Sequence, residues 1–177
     1  VGIAEKMKSG LIENCTNTGN LSNPKTDETA AGSVPSQIGG IIGSAYGNLQ
    51  IKGCINRGSI TGVFRYRAAG ILSAARNAGN SIESCENYGN ITVTTIEPAT
   101  TAFPLVAGLV VIENSNTVVT ISTSKNVGTL TATVKNADHI KPVYIYQKAV
   151  ESPDKPEADV TICDQATKDA SAGTVMN

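Results

Sequence analysis

The chain repeats itself, and this repetition constrains its fold more than any other feature. Each of four segments carries a small residue followed by Gly and by Ile or Leu, then a variable stretch, then the pattern Ile-x-x-Cys-x-Asn-x-Gly-x-Ile/Leu-Thr/Ser. Cys15, Cys54 and Cys85 occupy one position of this pattern, with Ser124 in the fourth segment, at spacings of 39, 31 and 39 residues. Such regular self-similarity is typical of proteins built from stacked repeats.

Each repeat predicts three short strands, which in the second copy lie near 40–42, 49–54 and 59–63. One repeat cannot bury its apolar face alone, but stacked repeats can pair equivalent strands in parallel, about 4.8 Å apart. Parallel crossovers are usually right-handed. We therefore expect an all-β chain that forms a right-handed parallel β-helix, or β-solenoid, of about four to five coils. Few aromatic residues (4%), no Trp and 17 Gly suit repeated strands and tight turns.

The spacing divides the chain into coils within one solenoid domain, which we expect to be a fragment of a larger protein. The predicted coils are 1–38, 39–68, 69–106, 107–142 and a degenerate capping coil at 143–177. In this last coil, a further step of 39 residues from Ser124 reaches Cys163. The prediction is that Cys163 continues the Cys row, with Gln165 and Thr167 in place of Asn and Gly.

Three long excursions interrupt the repeats, at 22–38, 92–106 and 131–142. Each one leaves the coil after the strand that contains Ile/Leu-Thr/Ser, so all three leave from the same corner of the stack. Insertions confined to one corner often mark the functional edge of a solenoid.

Ile38–Gly43, followed by Ile51–Gly62, resembles the GLUG-type repeat of bacterial surface proteins. The resemblance covers almost the whole chain and is strongest in coils two and three. It implies a secreted or cell-surface protein of adhesin-like character, and it carries no catalytic residues over to this sequence.

The most regular polar rows are interpreted as scaffold. Cys15, Cys54 and Cys85 are expected to form an inward row of free thiols, since parallel strands in register suit disulfide geometry poorly. The Asn row is expected to cap turns and to bond along the solenoid axis, and the Gly row to supply positive φ. These two rows consist of Asn17, Asn56, Asn87 and Asn126 with Gly19, Gly58, Gly89 and Gly128.

Catalytic, metal and cofactor sites are not expected. His139 is the one histidine, so the sequence offers no Ser/His/Asp or Cys/His constellation, and it has no Cys-x-x-Cys spacing. Six of the fifteen acidic residues lie in the last coil, and a seventh, Asp138, lies just before it, so they do not converge on a cleft. A net charge of −1 gives no sign of nucleic-acid binding, and no apolar run reaches the roughly 18 residues of a membrane span.

The arginines form the candidate ligand-binding cluster. All four fall within twenty residues of coils two and three, and two of them alternate with aromatic residues. Because Arg suits planar anions, one hypothesis is anionic-glycan binding, and the alternative is an ordinary charged surface. The candidate residues are Arg57, Phe64, Arg65, Tyr66, Arg67 and Arg76.

The leading functional expectation is a non-catalytic extracellular module of a bacterial cell-surface protein, structural or adhesin-like, that presents its loops to a glycan or a surface protein of host or microbe. The alternatives are a carbohydrate-binding module for anionic glycans and, after it, a glycan-active β-helix enzyme. Val1-Gly2-Ile3 carries no polar cap. We therefore expect the N-terminal strand edge to be covered by further coils, by another domain or by a partner chain.

Overall fold

The computed structural model describes residues 1–24, 35–65, 67–95, 105–113, 117–134, 146–148, 162–163 and 165–171. Every strand pair among them is parallel, and each pair joins equivalent segments of successive repeats. The predicted parallel β-solenoid of four to five coils is therefore confirmed. Its right-handed winding stays a prediction.

The strands follow the repeat, with five in each of coils one to three and four in the described part of coil four. Coil one holds β1 (Ala4–Met7), β2 (Gly10–Glu13), β3 (Thr16–Asn17), β4 (Leu21–Asn23) and β5 (Gln37–Gly39). Coil two holds β6 (Ile42–Ala45), β7 (Leu49–Lys52), β8 (Ile55–Asn56), β9 (Ile60–Phe64) and β10 (Arg67–Ala69). Coil three holds β11 (Leu72–Ala75), β12 (Asn80–Glu83), β13 (Glu86–Asn87), β14 (Ile91–Thr95) and β15 (Leu105–Ala107). Coil four holds β16 (Val110–Ile112), β17 (Val119–Ser122), β18 (Lys125–Asn126) and β19 (Leu130–Val134), and β20 (Tyr146–Lys148), β21 (Ile162–Cys163) and α1 (Gln165–Ser171) follow it.

Equivalent strands build five parallel sheets along the stack. Their orders are β1-β6-β11-β16-β20 in sheet A, β2-β7-β12-β17-β21 in sheet B, β3-β8-β13-β18 in sheet C, β4-β9-β14-β19 in sheet D and β5-β10-β15 in sheet E. The three strands predicted for each repeat are those of sheets A, B and D. The structure adds the two-residue strands of sheet C and the three-residue strands of sheet E.

The interior is divided into two apolar clusters. The larger contains the inward side chains of sheets A and B, such as Ile42 and Ile51, together with Cys54. The smaller contains those of sheets D and E, such as Ile60 and Ala68. Between them the Asn row meets a second row of glycines, because a Cβ on Gly40 would lie 2.5 Å from Asn56 Cγ. The chain therefore contacts itself across the middle of each coil.

The Asn side chains form one continuous hydrogen-bonded row. Each Nδ2 donates to the Oδ1 of the next coil, at 2.8 Å from Asn17 to Asn56, 2.8 Å from Asn56 to Asn87 and 2.7 Å from Asn87 to Asn126. Each Nδ2 also donates to a carbonyl two residues ahead in its own coil, such as that of Gly58 at 3.0 Å. Since these amides are buried, this bonding offsets their loss of contact with water.

The positions of the Gly row require glycine for a reason other than the predicted positive φ. Gly19, Gly58, Gly89 and Gly128 are not among the positive-φ residues, so that part of the prediction is wrong. A Cβ on Gly58 or Gly89 would instead lie 2.0 Å from the glycine carbonyl oxygen of the preceding coil. The left-handed position lies just before the Cys row, at Asn14, Gly53, Ser84 and Thr123.

After coil four, β20 and β21 add a fifth strand to sheets A and B, and α1 then covers the end of sheet C in place of a fifth copy of its strand. Cys163 pairs with Ile121, so the prediction that it continues the Cys row below Ser124 is wrong. The Thr167 hydroxyl accepts the Ser124 N–H at 3.0 Å, and the Ser171 hydroxyl accepts the Asn126 N–H at 3.1 Å. The spacing failed here because the chain turns from strand into helix after β21, and side-chain hydroxyls then replace strand pairing.

Candidate functional site

In coils one to four the long connections begin at one corner, between sheet D and the strand that follows it. In coil two this corner is short, since β9 ends at Phe64 and β10 begins at Arg67. The corresponding connections of coils one, three and four span 24–36, 96–104 and 135–145, and most of their residues lie outside the described part of the chain. From β1 to β19 the connections at the other corners have at most six residues, so the long connections of coils one, three and four leave the stack from one corner. After β19, a further connection at 149–161 joins β20 of sheet A to β21 of sheet B.

The outer faces of sheets E and A meet in a concave surface that we call the elbow groove. It encloses about 450 Å³. Among the residues that line it are Glu5, Lys6, Ser36, Gln37, Tyr46 and Arg76. The groove thus combines an aromatic ring with cationic, acidic and amide groups, which is a composition suited to polar ligands.

Tyr46, Arg76 and Glu113 occupy one position in successive coils and form the elbow row. The backbone N–H of Arg76 donates to Ala45 and that of Glu113 to Ala75, both at 2.9 Å. The Arg76 guanidinium lies 5.2 Å from the centroid of the Tyr46 ring, and its Nε lies 3.0 Å from Glu113 Oε2.

Arg67 joins the elbow row from sheet E. Its Nη2 lies 2.9 Å from Glu113 Oε1, and only 8% of its side chain is exposed, against 18% for Glu113. One largely buried carboxylate therefore binds two guanidinium groups. The arrangement fixes the end of the Arg76 side chain at the wall of the groove, where its charge can attract an anion.

The structure does not bring the six predicted ligand residues onto one surface. Phe64 is 1% exposed and belongs to the smaller apolar cluster. Arg67 and Arg76 meet at Glu113. Arg65 lies half-buried at the short corner, where its N–H donates to Pro35 at 2.9 Å. Arg57 belongs to a different face, and Tyr66 lies outside the described residues.

Arg57 contributes to a charged cluster beside sheet C. Its guanidinium lies 4.8 Å from the centroid of the Tyr88 ring, and Lys125 Nζ lies 5.3 Å from the same centroid. Lys125 also pairs with Glu86 at 3.0 Å. Desolvation opposes ionisation of Glu86, but hydrogen bonds from Tyr88 and Lys125 outweigh it and lower the pKa of Glu86. Hydrogen bonds with Tyr88 and Glu86 raise the pKa of Lys125.

The thiols of the cysteine row are hydrogen-bonded as part of the scaffold. Cys15, Cys54 and Cys85 are free, and the thiols of Cys54 and Cys85 each donate at 3.3 Å to the carbonyl two residues back. Ser124 makes the same bond at 2.9 Å, which explains why Ser can replace Cys there. The hydrogen bond with Cys54, and burial, raise the pKa of Cys85. Within the described residues no group of three or more His, Cys, Asp and Glu could hold a metal ion.

Sequence reasoning missed Tyr46, Glu113 and Tyr88 as partners of the arginines, and Lys125 as a second cation over the Tyr88 ring. The signal was present in the repeat. Tyr46 and Arg76 each follow the alanine that ends a sheet A strand, and Glu113 follows the equivalent Ile112. Aligning the outward positions, and not only the inward ones, would have placed these three residues in one row.

Comparison of the chain with protein-family models, with curated proteins and with solved structures finds no match. Among the described residues there is no helix long and apolar enough to cross a membrane.

Proposed function

We propose that this chain is a non-catalytic extracellular module of a bacterial surface protein that presents the connections of one corner to a ligand. The observation that carries the proposal is the contrast between corners. Sheets A to D continue through coils one to four, whereas the connection after sheet D spans 24–36 in coil one and only 65–66 in coil two. A rigid stack with variable loops along one edge suits display.

Two further observations support a non-catalytic role. The arginines of the elbow are bound to Glu113, and the thiols are bonded within the core row, so neither set is arranged around a reacting atom. The resemblance to GLUG-type repeats supports a cell-surface location and adhesin-like character. The proposed ligand is a glycan or a surface protein of host or microbe.

The test exchanges the connection of coil one for the short corner of coil two. The native chain is compared on a glycan array and on immobilised extracellular proteins with a variant in which Val-Phe replaces residues 24–34. Asn23 and Gln37 are then joined by four residues, as the equivalent Gly62 and Arg67 are in coil two. We expect the native chain to bind at least one ligand and the variant to lose that binding while its thermal unfolding is retained. Equal binding by both chains, or release of reducing sugar from polysaccharides by the native chain, contradicts the proposal.

A carbohydrate-binding module is the second candidate, and the elbow groove favours it. Tyr46 offers an aromatic face, while Gln37, Lys6 and Arg76 offer polar groups around the same 450 Å³ space. Acidic or sulfated glycans are the ligands that its cations suit. Tyr46→Ala should abolish array binding if the groove is the site, whereas the exchange of 24–34, which leaves Pro35 and Ser36 of the groove in place, should abolish it if the connections are the site.

A further inference from the structure

Coil one leaves exposed the surface that, in coils two to four, is covered by the preceding coil. Among the described residues, each of its five strands, β1 to β5, pairs with a neighbouring strand on one side only. Ile3 is 44% exposed, whereas Ile41 and Ile71, which follow the equivalent glycines in coils two and three, are fully buried. Ile12 shows a smaller difference, 9% against complete burial of Ile51. These are inward side chains, so what exposes them is the lack of a neighbour along the axis.

Gly19 shows what kind of neighbour fits this surface. Gly58, Gly89 and Gly128 cannot carry a side chain, because a Cβ would lie 2.0–2.1 Å from the glycine carbonyl oxygen of the preceding coil. Gly19 occupies the same position, but a Cβ there would meet only its own coil's Asn17 Oδ1, at 3.6 Å. Nothing in the described chain requires glycine at 19, whereas the carbonyl of a stacked coil would.

Asn17 also fits a stacked coil of the same repeat as its neighbour. In the coils that follow, the Oδ1 of Asn56, Asn87 and Asn126 accepts the Nδ2 of the preceding Asn. The Oδ1 of Asn17 accepts the N–H of Gly19 in its own coil at 3.1 Å. A coil stacked on this surface would place an Asn Nδ2 beside it, as Asn17 itself does for Asn56.

We propose that the exposed end of coil one is a docking surface for a further coil of the same Asn-x-Gly repeat, stacked in parallel register. A second copy of this chain is not the occupant, because parallel stacking would require the far end of its coil four, and α1 covers that end through Thr167 and Ser171. The inference concerns the end of the rod and is independent of the ligand proposed above.

The test adds such a coil to the full chain and asks whether Gly19 then becomes necessary. Residues 39–68 are duplicated directly ahead of Val1, because Val1 lies three residues before Ala4, as Gly39 and Ala69 lie before Ile42 and Leu72. We expect hydrogen exchange of the coil-one amides to slow by at least about tenfold in the extended chain, since they then open only with the stack.

Gly19→Val supplies the matched control. In the original chain it should leave exchange and thermal unfolding nearly unchanged, whereas in the extended chain it should remove the added protection by blocking close approach of the new carbonyl. The proposal is overturned if the added coil gives no protection, or if Gly19→Val leaves that protection intact. Self-association of the original chain through this surface, seen by sedimentation and lost in Gly19→Val, would assign the surface to a second copy and also overturn it.

Discussion

The Asn row and the elbow row run along the same stack, yet one repeats a single residue and the other never does. The Asn row reads Asn17, Asn56, Asn87 and Asn126, whereas the elbow row reads Tyr46, Arg76 and Glu113. An amide donates and accepts at once, so an identical neighbour satisfies it. Identical charges at the same spacing would repel each other, so a charged row must alternate. Repetition therefore marks the scaffold, and variation marks the surfaces where specific contacts arise.

The strongest test of this contrast is a methyl group added to the inner scaffold. Gly89→Ala would place a Cβ 2.0 Å from the Gly58 carbonyl oxygen and 2.8 Å from Asn56 Nδ2. Because backbone cannot withdraw as a flexible side chain can, we expect a loss of about 3 kcal/mol in the free energy of unfolding. Urea denaturation followed by circular dichroism measures it.

Gly19→Ala is the control for that substitution, since it adds the same methyl group at the same position of the repeat. Its nearest contact is at 3.6 Å, so we expect a change within about 0.5 kcal/mol. Similar losses in the two variants would mean that the close approach between coils is not what requires glycine.

An intermediate effect is expected in the elbow row. Glu113→Ala removes the carboxylate that lies 2.9 Å from Arg67 and 3.0 Å from Arg76, and it leaves the largely buried Arg67 cation without that partner. We expect a loss of about 2 kcal/mol, below the value for a fully buried pair because part of the cluster reaches solvent. Thermal unfolding at two salt concentrations measures it.

The paired variant Arg67→Met with Glu113→Leu removes both charges together. It should cost less than Glu113→Ala alone, because the more deeply buried cation is removed together with its carboxylate and only Arg76, with 33% of its side chain exposed, loses its pair with Glu113. A larger loss in the double variant would show that the guanidinium packs for reasons other than its charge.

The sequence alone was sufficient to predict the repeated inward rows of this molecule, but not the contacts of its varied residues. The inward rows could be predicted because each inward position faces a copy of itself, so one alignment specifies both partners. The Gly row was placed correctly but explained wrongly, since the 2.0 Å approach of Gly58 to the Gly19 carbonyl depends on how the coil folds across its middle. Spacing alone does not contain that distance.

The outward residues and the cap could not be predicted in the same way. Arg67 and Glu113 are 46 residues apart and meet because sheet E lies beside sheet A, which the repeat pattern does not encode. Phe64 stood among alternating Arg and aromatic residues, yet its direction in β9 places it inside the smaller cluster. Cys163 followed the spacing of the repeat, but α1 ends the repeat there.

The smallest expected effect tests the outer face of sheet C, where Glu86 and Lys125 are stacked in place of identical residues. Folding lowers the pKa of Glu86 from its ordinary 4.5, so its carboxylate adds stability above that pH and loses it as the pH falls through the folded value. Glu86→Gln should therefore cost about 0.5 kcal/mol at pH 7 and almost nothing at strongly acidic pH. Chemical denaturation across this pH range measures the difference.

Glu83→Gln is the matched control, since its pair with Lys52 at 3.1 Å is more exposed and should contribute less. A loss for Glu86→Gln that persists unchanged at acidic pH would show that the side chain acts through packing, and the alternation of charge along this row would then carry no stability of its own.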